Sequence, residues 1–175
     1  MSRPHKPIPV MPFVGIIADG KIDRAILTEM NLGNPLVERP PIPFRWTDYY
    51  QPEMGDDLLR SWIFFDRLID PTEIVELKHK SRDIEDRLSN NNHRTVNIDP
   101  GYIAPSHLVL STYKDFSHRI YVGDSVYCEV TLQFRGGIWR PEAWTFADYR
   151  DAENQEFFTD ARDIYMKMLR DRDEI

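Results

Sequence analysis

Two hairpin signals, close together in the second half of the chain, commit it to an antiparallel sheet. Residues 119–122 and 126–134 flank Gly123-Asp124, and Phe134 and Ile138 flank Arg135-Gly136-Gly137. Glycine and aspartate supply the positive-φ conformations that tight hairpin turns demand. Between the two turns the side chains alternate cleanly. Cys128, Val130, Leu132 and Phe134 fall on one side, and Tyr127, Glu129, Thr131 and Gln133 on the other. The second side is either a solvated face or the floor of a polar cleft.

The remaining segments follow the same logic. Residues 10–18, VMPFVGIIA, predict a buried first strand ending at Asp19-Gly20, with Gly15 marking a bulge or a close backbone approach. Ile22, Ala25, Ile26 and Met30 have helical spacing, and residues 31–35 end that helix. The stretch 36–43 is extended but carries Pro40, Pro41 and Pro43, which suits an edge strand because proline brings no N–H to a ladder. Residues 61–68, SWIFFDRL, predict another strand. Asp70-Pro71-Thr72-Glu73 is a helix start: an acid at the N-cap, proline at the first position, an acid in the first turn. Ile74, Leu77, Ile84 and Leu88 form the apolar stripe behind it, and Asn90-Asn91-Asn92 stops the helix.

Further on, 95–98 and 107–113 read as extended, with a break at Pro100-Gly101, and 144–150 reads as irregular. The last helix, 154–172, places Phe157 or Phe158, Ala161, Ile164 or Tyr165, and Met168 on one face. The order β-α-β-β-α-β, then a hairpin and a helix, predicts an α+β fold. Its expected form is a ferredoxin-like split β-α-β core with an antiparallel hairpin extension and a C-terminal helix. A single domain over 1–175 is expected, residues 1–9 being a loosely ordered lead-in.

Composition narrows the function classes. The net charge of −7 argues against a general nucleic-acid surface or an anionic membrane surface, both of which need a cationic field. One cysteine, Cys128, excludes an internal disulfide and a cysteine-based zinc site. No apolar run reaches the about 20 residues of a membrane span, and no leader pattern opens the chain, so the expected location is cytoplasmic. His79, His93, His107 and His118 show no zinc-ligand spacing, and no GxSxG elbow is present. The cofactor is unassigned; Mg²⁺ needs only one or two carboxylates beside a ligand phosphate and is compatible with this chain.

Four segments taken together carry a family resemblance: TDYY at 47–50, VNIDPGY at 96–102, KDFSHRIY at 114–121 and WTFADYR at 144–150. They resemble the DUF4416 family of bacterial and archaeal proteins, whose signature is the TDYY segment. The resemblance runs in order over nearly the whole chain. It implies a functionally uncharacterised protein, of a family whose members are sometimes labelled GTP-binding. Yet the chain has no GxxxxGK[ST] loop, and residues 15–20, GIIADG, lack its lysine and hydroxyl.

The candidate site follows from where charge and rings sit among the strands. His118 with Asp115 is the expected proton-handling pair, since a carboxylate orients an imidazole and stabilises its charged form. Arg119, Lys114 and Arg94 are the expected anion contacts. Asn97 and Asp99, Glu129, Asp48 and Asp148 are the polar partners, and Tyr49 and Tyr50 a stacking wall. Competing accounts accompany each: an Arg119–Glu129 structural pair, Asp99 capping a Pro-Gly turn, and tyrosines packed as half-buried rings. The expected function is binding of, and action on, a small anionic ligand such as a nucleotide or phosphorylated metabolite. The alternative is a non-catalytic interaction module using aromatic loops that carry Trp46, Tyr49, Trp139 and Trp144.

Overall fold

The computed structural model describes residues 3–20, 25–91 and 93–175. The predicted helical residues 21–24, Asn92 of the helix stop and residues 1–2 of the lead-in lie outside the described residues. Eight strands are present: β1 (Met11–Asp19), β2 (Pro35–Pro43), β3 (Leu58–Phe65), β4 (Val96–Ala104), β5 (His107–Thr112), β6 (Ile120–Gly123), β7 (Val126–Arg135) and β8 (Ile138–Pro141). The helices are α1 (Ala25–Glu29), α2 (Gln51–Met54), α3 (Ile74–Leu88), α4 (Ala147–Arg150) and α5 (Ala152–Arg170). All strands join one antiparallel sheet in the order β2-β3-β1-β4-β5-β7-β6, with β8 also pairing β7. The fold is therefore mixed α+β.

Helices cover both faces. On one face α3 sets Ile74, Leu77 and Ile84 against Val14, Ile16, Ile63, Ile98 and Val109, while Leu88 of the expected stripe stays exposed at the helix end. The start of α3 is as its sequence dictates. The Asp70 side chain accepts from the Thr72 N–H, and Glu73 reaches back to the Asp70 N–H, closing a capping box. On the other face α5 sets Phe158, Ala161, Tyr165 and Leu169 against Met11, Phe13, Trp62, Phe64 and Leu132. That spacing of three and four residues selects Phe158 and Tyr165 from the sequence alternatives, and Leu169 replaces Met168.

Three expectations change. Pro100-Gly101 does not break the chain; both residues lie inside β4, opposite Val14 and Phe13 of β1. Glycine is required at 101 because a Cβ there would stand 2.3 Å from the Val109 carbonyl oxygen and 2.6 Å from the Phe13 ring. Asp99 is thus a mid-strand residue and caps no turn. Secondly, the alternation along β7 reverses part-way. Leu108 pairs with Leu132 but Val109 pairs with Val130, so Thr131 is an extra residue, a β-bulge. Cys128 and Val130 accordingly face α3, whereas Leu132 and Phe134 face α5. Thirdly, 144–150 is not wholly irregular, since it contains the short helix α4. The proline-rich strand β2 is, as expected, an edge strand, and it has two register irregularities.

One buried acid in the α3 layer sets a pH dependence. Glu85 is 5% exposed and its Oε1 accepts the Ile98 N–H at 2.5 Å. Burial pushes its carboxyl from the ordinary 4.5 up to about 7, against the pull of that N–H and of Lys78. With a raised folded pKa, the contribution to stability is full below about pH 4.5 and is lost as pH rises through about 7. Glu85→Gln keeps the acceptor and removes the titration. Its stability relative to the parent, read from urea unfolding, should rise by about 3 kcal/mol between pH 5 and pH 8. A difference that stays flat across this range contradicts the assignment.

Candidate functional site

The α5 face of the sheet is closed at one end by α5 and at the other by a small cluster of Ile17, Met54, Leu58, Phe44 and Tyr50. Between them lies a polar seam, floored by Arg60 on β3, Gly15 on β1 and Asn97 and Asp99 on β4. Register places them together. Gly15 is opposite both Trp62 and Asp99, and Ile17 is opposite both Arg60 and Asn97.

Arg60 alternates with Trp62 and Phe64 and is only 2% exposed. Its Nε lies 3.0 Å from Asp148 Oδ2, and its Nη2 donates to the Tyr149 hydroxyl at 3.1 Å. The guanidinium carbon stands 4.5 Å from the Trp62 ring centre and 5.4 Å from that of Tyr149. Neither Nε nor Nη1 has a hydrogen-bond partner, the Nε–Asp148 contact being an ion pair. A Cβ on Gly15 would stand 3.0 Å from both Arg60 Nη2 and the Tyr149 oxygen, so the absent side chain is the room the cation uses. Burial alone would lower the Arg60 pKa, but Asp148, Tyr149, Asp99 and Tyr50 outweigh it and hold it above its ordinary value. Burial pushes Asp148 up, Arg60 pulls it back, and Asp99 adds to the rise.

A hydrogen-bonded chain crosses the seam from the α2 side. Arg94 forks onto Glu53, with Nη2 2.7 Å and Nε 2.9 Å from its oxygens. Arg94 Nη1 donates to Asn97 Oδ1 at 3.1 Å, and Asn97 Nδ2 donates to Asp99 Oδ2 at 2.7 Å. Lys78 of α3 approaches Asp99 Oδ1 at 3.7 Å. Above this floor Tyr50 is wedged against Phe44 and Tyr49. Burial raises its hydroxyl pKa well above the ordinary value, Asp99 and Asp148 adding to the rise and Arg60 and Arg94 opposing it. Tyr50 is therefore a neutral hydrogen-bond donor.

On the β7 side the expected proton pair is replaced. His118 Nε2 lies 3.1 Å from Glu129 Oε2, and Arg119 Nε donates to the same oxygen at 2.7 Å. Glu129 is 4% exposed, and its Oε1 has no partner. Asp115 is exposed and forms no such bond with His118, because the imidazole is turned inward and stacked on Trp144 at 4.8 Å. Arg119, with 8% side-chain exposure, is an internal ion pair rather than an open anion contact. Lys114 Nζ instead donates to the Tyr49 hydroxyl at 3.2 Å on the exposed side. Asp48 is exposed beside it in sequence. Of the four rings of the interaction alternative, Trp139 is buried and Trp46 packs on Phe44, whereas Trp144, stacked on His118, is 37% exposed and Tyr49 is 62% exposed.

Among the described residues no group of three or more His, Cys, Asp or Glu is arranged to hold a metal ion. No described helix is long and apolar enough to cross a membrane. Residues 13–165 match the family described as Domain of unknown function (DUF4416). The chain belongs to that family. No curated protein and no solved structure matches it. In this DUF4416 chain the four segments that resemble the family come together at the seam. TDYY brings Tyr49 and Tyr50, and VNIDPGY brings Asn97 and Asp99. KDFSHRIY brings Lys114, His118 and Arg119, and WTFADYR brings Trp144, Asp148 and Tyr149.

The central member, Arg60, was absent from the sequence candidates. Its signal was one arginine inside the apolar run LLRSWIFF, whose first three residues lie ahead of the predicted strand. Removing its counter-charge tests how far the fold depends on it. Asp148→Asn should cost about 3–5 kcal/mol of unfolding free energy, because a buried cation is left unpaired. Arg60→Met combined with Asp148→Leu should cost less than the sum of the two single changes. A cost for Asp148→Asn under about 1 kcal/mol would refute the pairing.

Proposed function

We propose that this chain binds a small anionic ligand in the seam between α4–α5 and the 44–54 segment. The observation that carries the reading is Arg60, a buried guanidinium that hydrogen-bonds only through Nη2, its Nε meeting Asp148 as an ion pair and its Nη1 meeting no polar partner. Buried donors without partners are rare in native proteins and favour sites that a ligand completes. Tyr50, neutral and beside Arg60 and Asp99, supplies a second donor. Lys114 and the Tyr49 ring stand at the mouth, and the His118–Glu129 pair takes the proton-handling role assigned from sequence to His118 and Asp115. Nη1 is out of contact with solvent. Nucleotides and phosphorylated metabolites are the classes first expected.

We further propose that the finer architecture is a ferredoxin-like split β-α-β core. Its support is the antiparallel order β2-β3-β1-β4, with Leu27 of α1 and Met30 just beyond it packed on the same face as α3.

The test is thermal shift against nucleotides, sugar phosphates and carboxylates, with and without Mg²⁺. A ligand at one hundred times its Kd stabilises by about 2.7 kcal/mol, roughly 5–10 °C for a chain of this size. The shift should vanish in Lys114→Met and Tyr50→Phe, both of which leave Arg60 and Asp148 paired. A shift that persists in both variants overturns the site.

A second reading is favoured by a separate feature, the open edge at β6. Ile120, Tyr121 and Val122 are 71%, 59% and 42% exposed, whereas the opposite edge strand β2 is guarded by four prolines. Antiparallel pairing of β6 with its own copy would bury them. Concentration-dependent dimerisation in sedimentation velocity, abolished by Ile120→Lys, is the expected result. A monomer at every concentration excludes it.

A further inference from the structure

Resting on the anion-binding reading above, we infer that residues 45–57 form a hinged lid over Arg60, latched shut by the Glu53–Arg94 fork. The two ends of this segment leave the sheet at one place. Pro43 pairs with Leu59, and the Phe44 N–H donates to the Leu58 carbonyl at 2.8 Å. A loop attached in this way turns about its base as a flap and leaves the strand pairing beyond it intact. Register puts the flap over the cation. Ile42, Arg60, Ile17 and Asn97 form one row across β2, β3, β1 and β4. Ile42 packs with the α5 cluster, whereas Ile17 belongs to the small cluster that holds Met54 and Tyr50 of the flap. Arg60 thus stands where the two covers meet. Its α4 side is closed by Asp148 and Tyr149, and Asp148 is tied to α5 through Asn154. Tyr50 is near enough that the Arg60 charge acts on its hydroxyl.

The hold on the flap is slight. Of residues 45–57 only Met54 is buried, and α2, with four residues, is too short to persist without tertiary support. The polar contacts lie at the rim. Glu53 meets the Arg94 fork at 2.7 and 2.9 Å, with the two side chains 32% and 25% exposed. Tyr49, 62% exposed, takes a hydrogen from Lys114. Water competes for such contacts, so releasing them costs little. The strand beneath is held quite differently, since β3 buries Arg60, Trp62 and Phe64 and is paired along both edges. Segments with few buried side chains open locally at a small fraction of the cost of global unfolding. Arg94 is also bonded to Asn97, and Asn97 to Asp99, so the sheet-side half of the latch stays with β4 when the flap lifts.

Hydrogen–deuterium exchange of the full chain, read by mass spectrometry, measures the opening. Phenylglyoxal, which adds to guanidinium groups, measures whether Arg60 becomes accessible. In the parent, amides of 45–57 should exchange at least about tenfold faster than those of β1 and β3. Glu53→Ala, which undoes the latch, should raise both exchange over 45–57 and labelling of Arg60 by about threefold. Met54→Ala, which removes the buried anchor, should raise both by at least about tenfold. Peptides of α5 should exchange at the parent rate in both variants. Exchange over 45–57 as slow as in β3 would show that the segment opens only with the whole fold, and would overturn the lid. Arg60 labelling that stays constant while exchange over 45–57 rises would overturn it too, because the moving segment would not be the cover of Arg60. If both signals rise and no anion in the thermal-shift panel stabilises the chain, the lid stands and the anion-binding reading falls.

Discussion

The buried ion pair of Arg60 and Asp148 is the constraint around which the α5 face is arranged. Moving two charges out of water costs several kcal/mol per ion, and their attraction repays this only with close geometry and further hydrogen bonds. Each neighbour of the pair contributes to that repayment. Tyr149 takes a guanidinium hydrogen, Trp62 places a π face under it, and Gly15 withholds the side chain that would collide with it. Because Asp148 belongs to α4, the pair also fixes where α5 begins. Asn154 Nδ2 donates to the Asp148 carbonyl, Asn154 Oδ1 accepts from Arg39 of β2, and the Asp151 side chain caps α5. One interaction in the middle of a sheet thus sets the position of a 19-residue helix.

The seam exists because the two covers of this face are held by different means. The α5 end is apolar, a stack of Phe158 on Tyr149 at 5.4 Å with Trp62 edge-on to both. The α2 end is held by the forked Arg94–Glu53 pair and by the small cluster around Ile17. An ion pair with side-chain exposures of 25% and 32% is screened by water and is worth far less than a packed apolar layer. The α2 end is the weaker cover, and motion at the seam belongs to it.

Sequence made the regular elements legible where one local rule decided them. The capping box at Asp70, the proline-guarded edge β2, both hairpins and the apolar side of α5 follow from spacing and turn chemistry. Where two rules competed, the reading failed. Pro100-Gly101 has turn chemistry, but pairing along β4 and the tight approach of Val109 and Phe13 to Gly101 prevail. The bulge at Thr131 inserts one residue and sends Leu132 to the face opposite Cys128, which no alternation count can reveal. At the site, side-chain types were legible but partners were not. Glu129 and His118 are eleven residues apart and meet only because β6 folds back on β7. Arg60 and Asp148 stand about half the chain apart.

The balance of charge in the seam bears on what kind of chemistry it can host. Pairing Arg60, Arg94, Arg119 and Lys78 with carboxylates lets the protein bury or half-bury four basic groups without a strong local field. What remains is directional: a donor at Arg60 Nη1, a neutral hydroxyl at Tyr50 and an unpartnered acceptor at Glu129 Oε1. Recognition built from fixed donors and acceptors discriminates by shape and hydrogen-bond pattern, because a mismatched ligand leaves buried polar atoms unpaired. The four DUF4416 segments are tied to one another in this way, Tyr49 to Lys114, His118 to Trp144, and Asp148 through Arg60 to Tyr149.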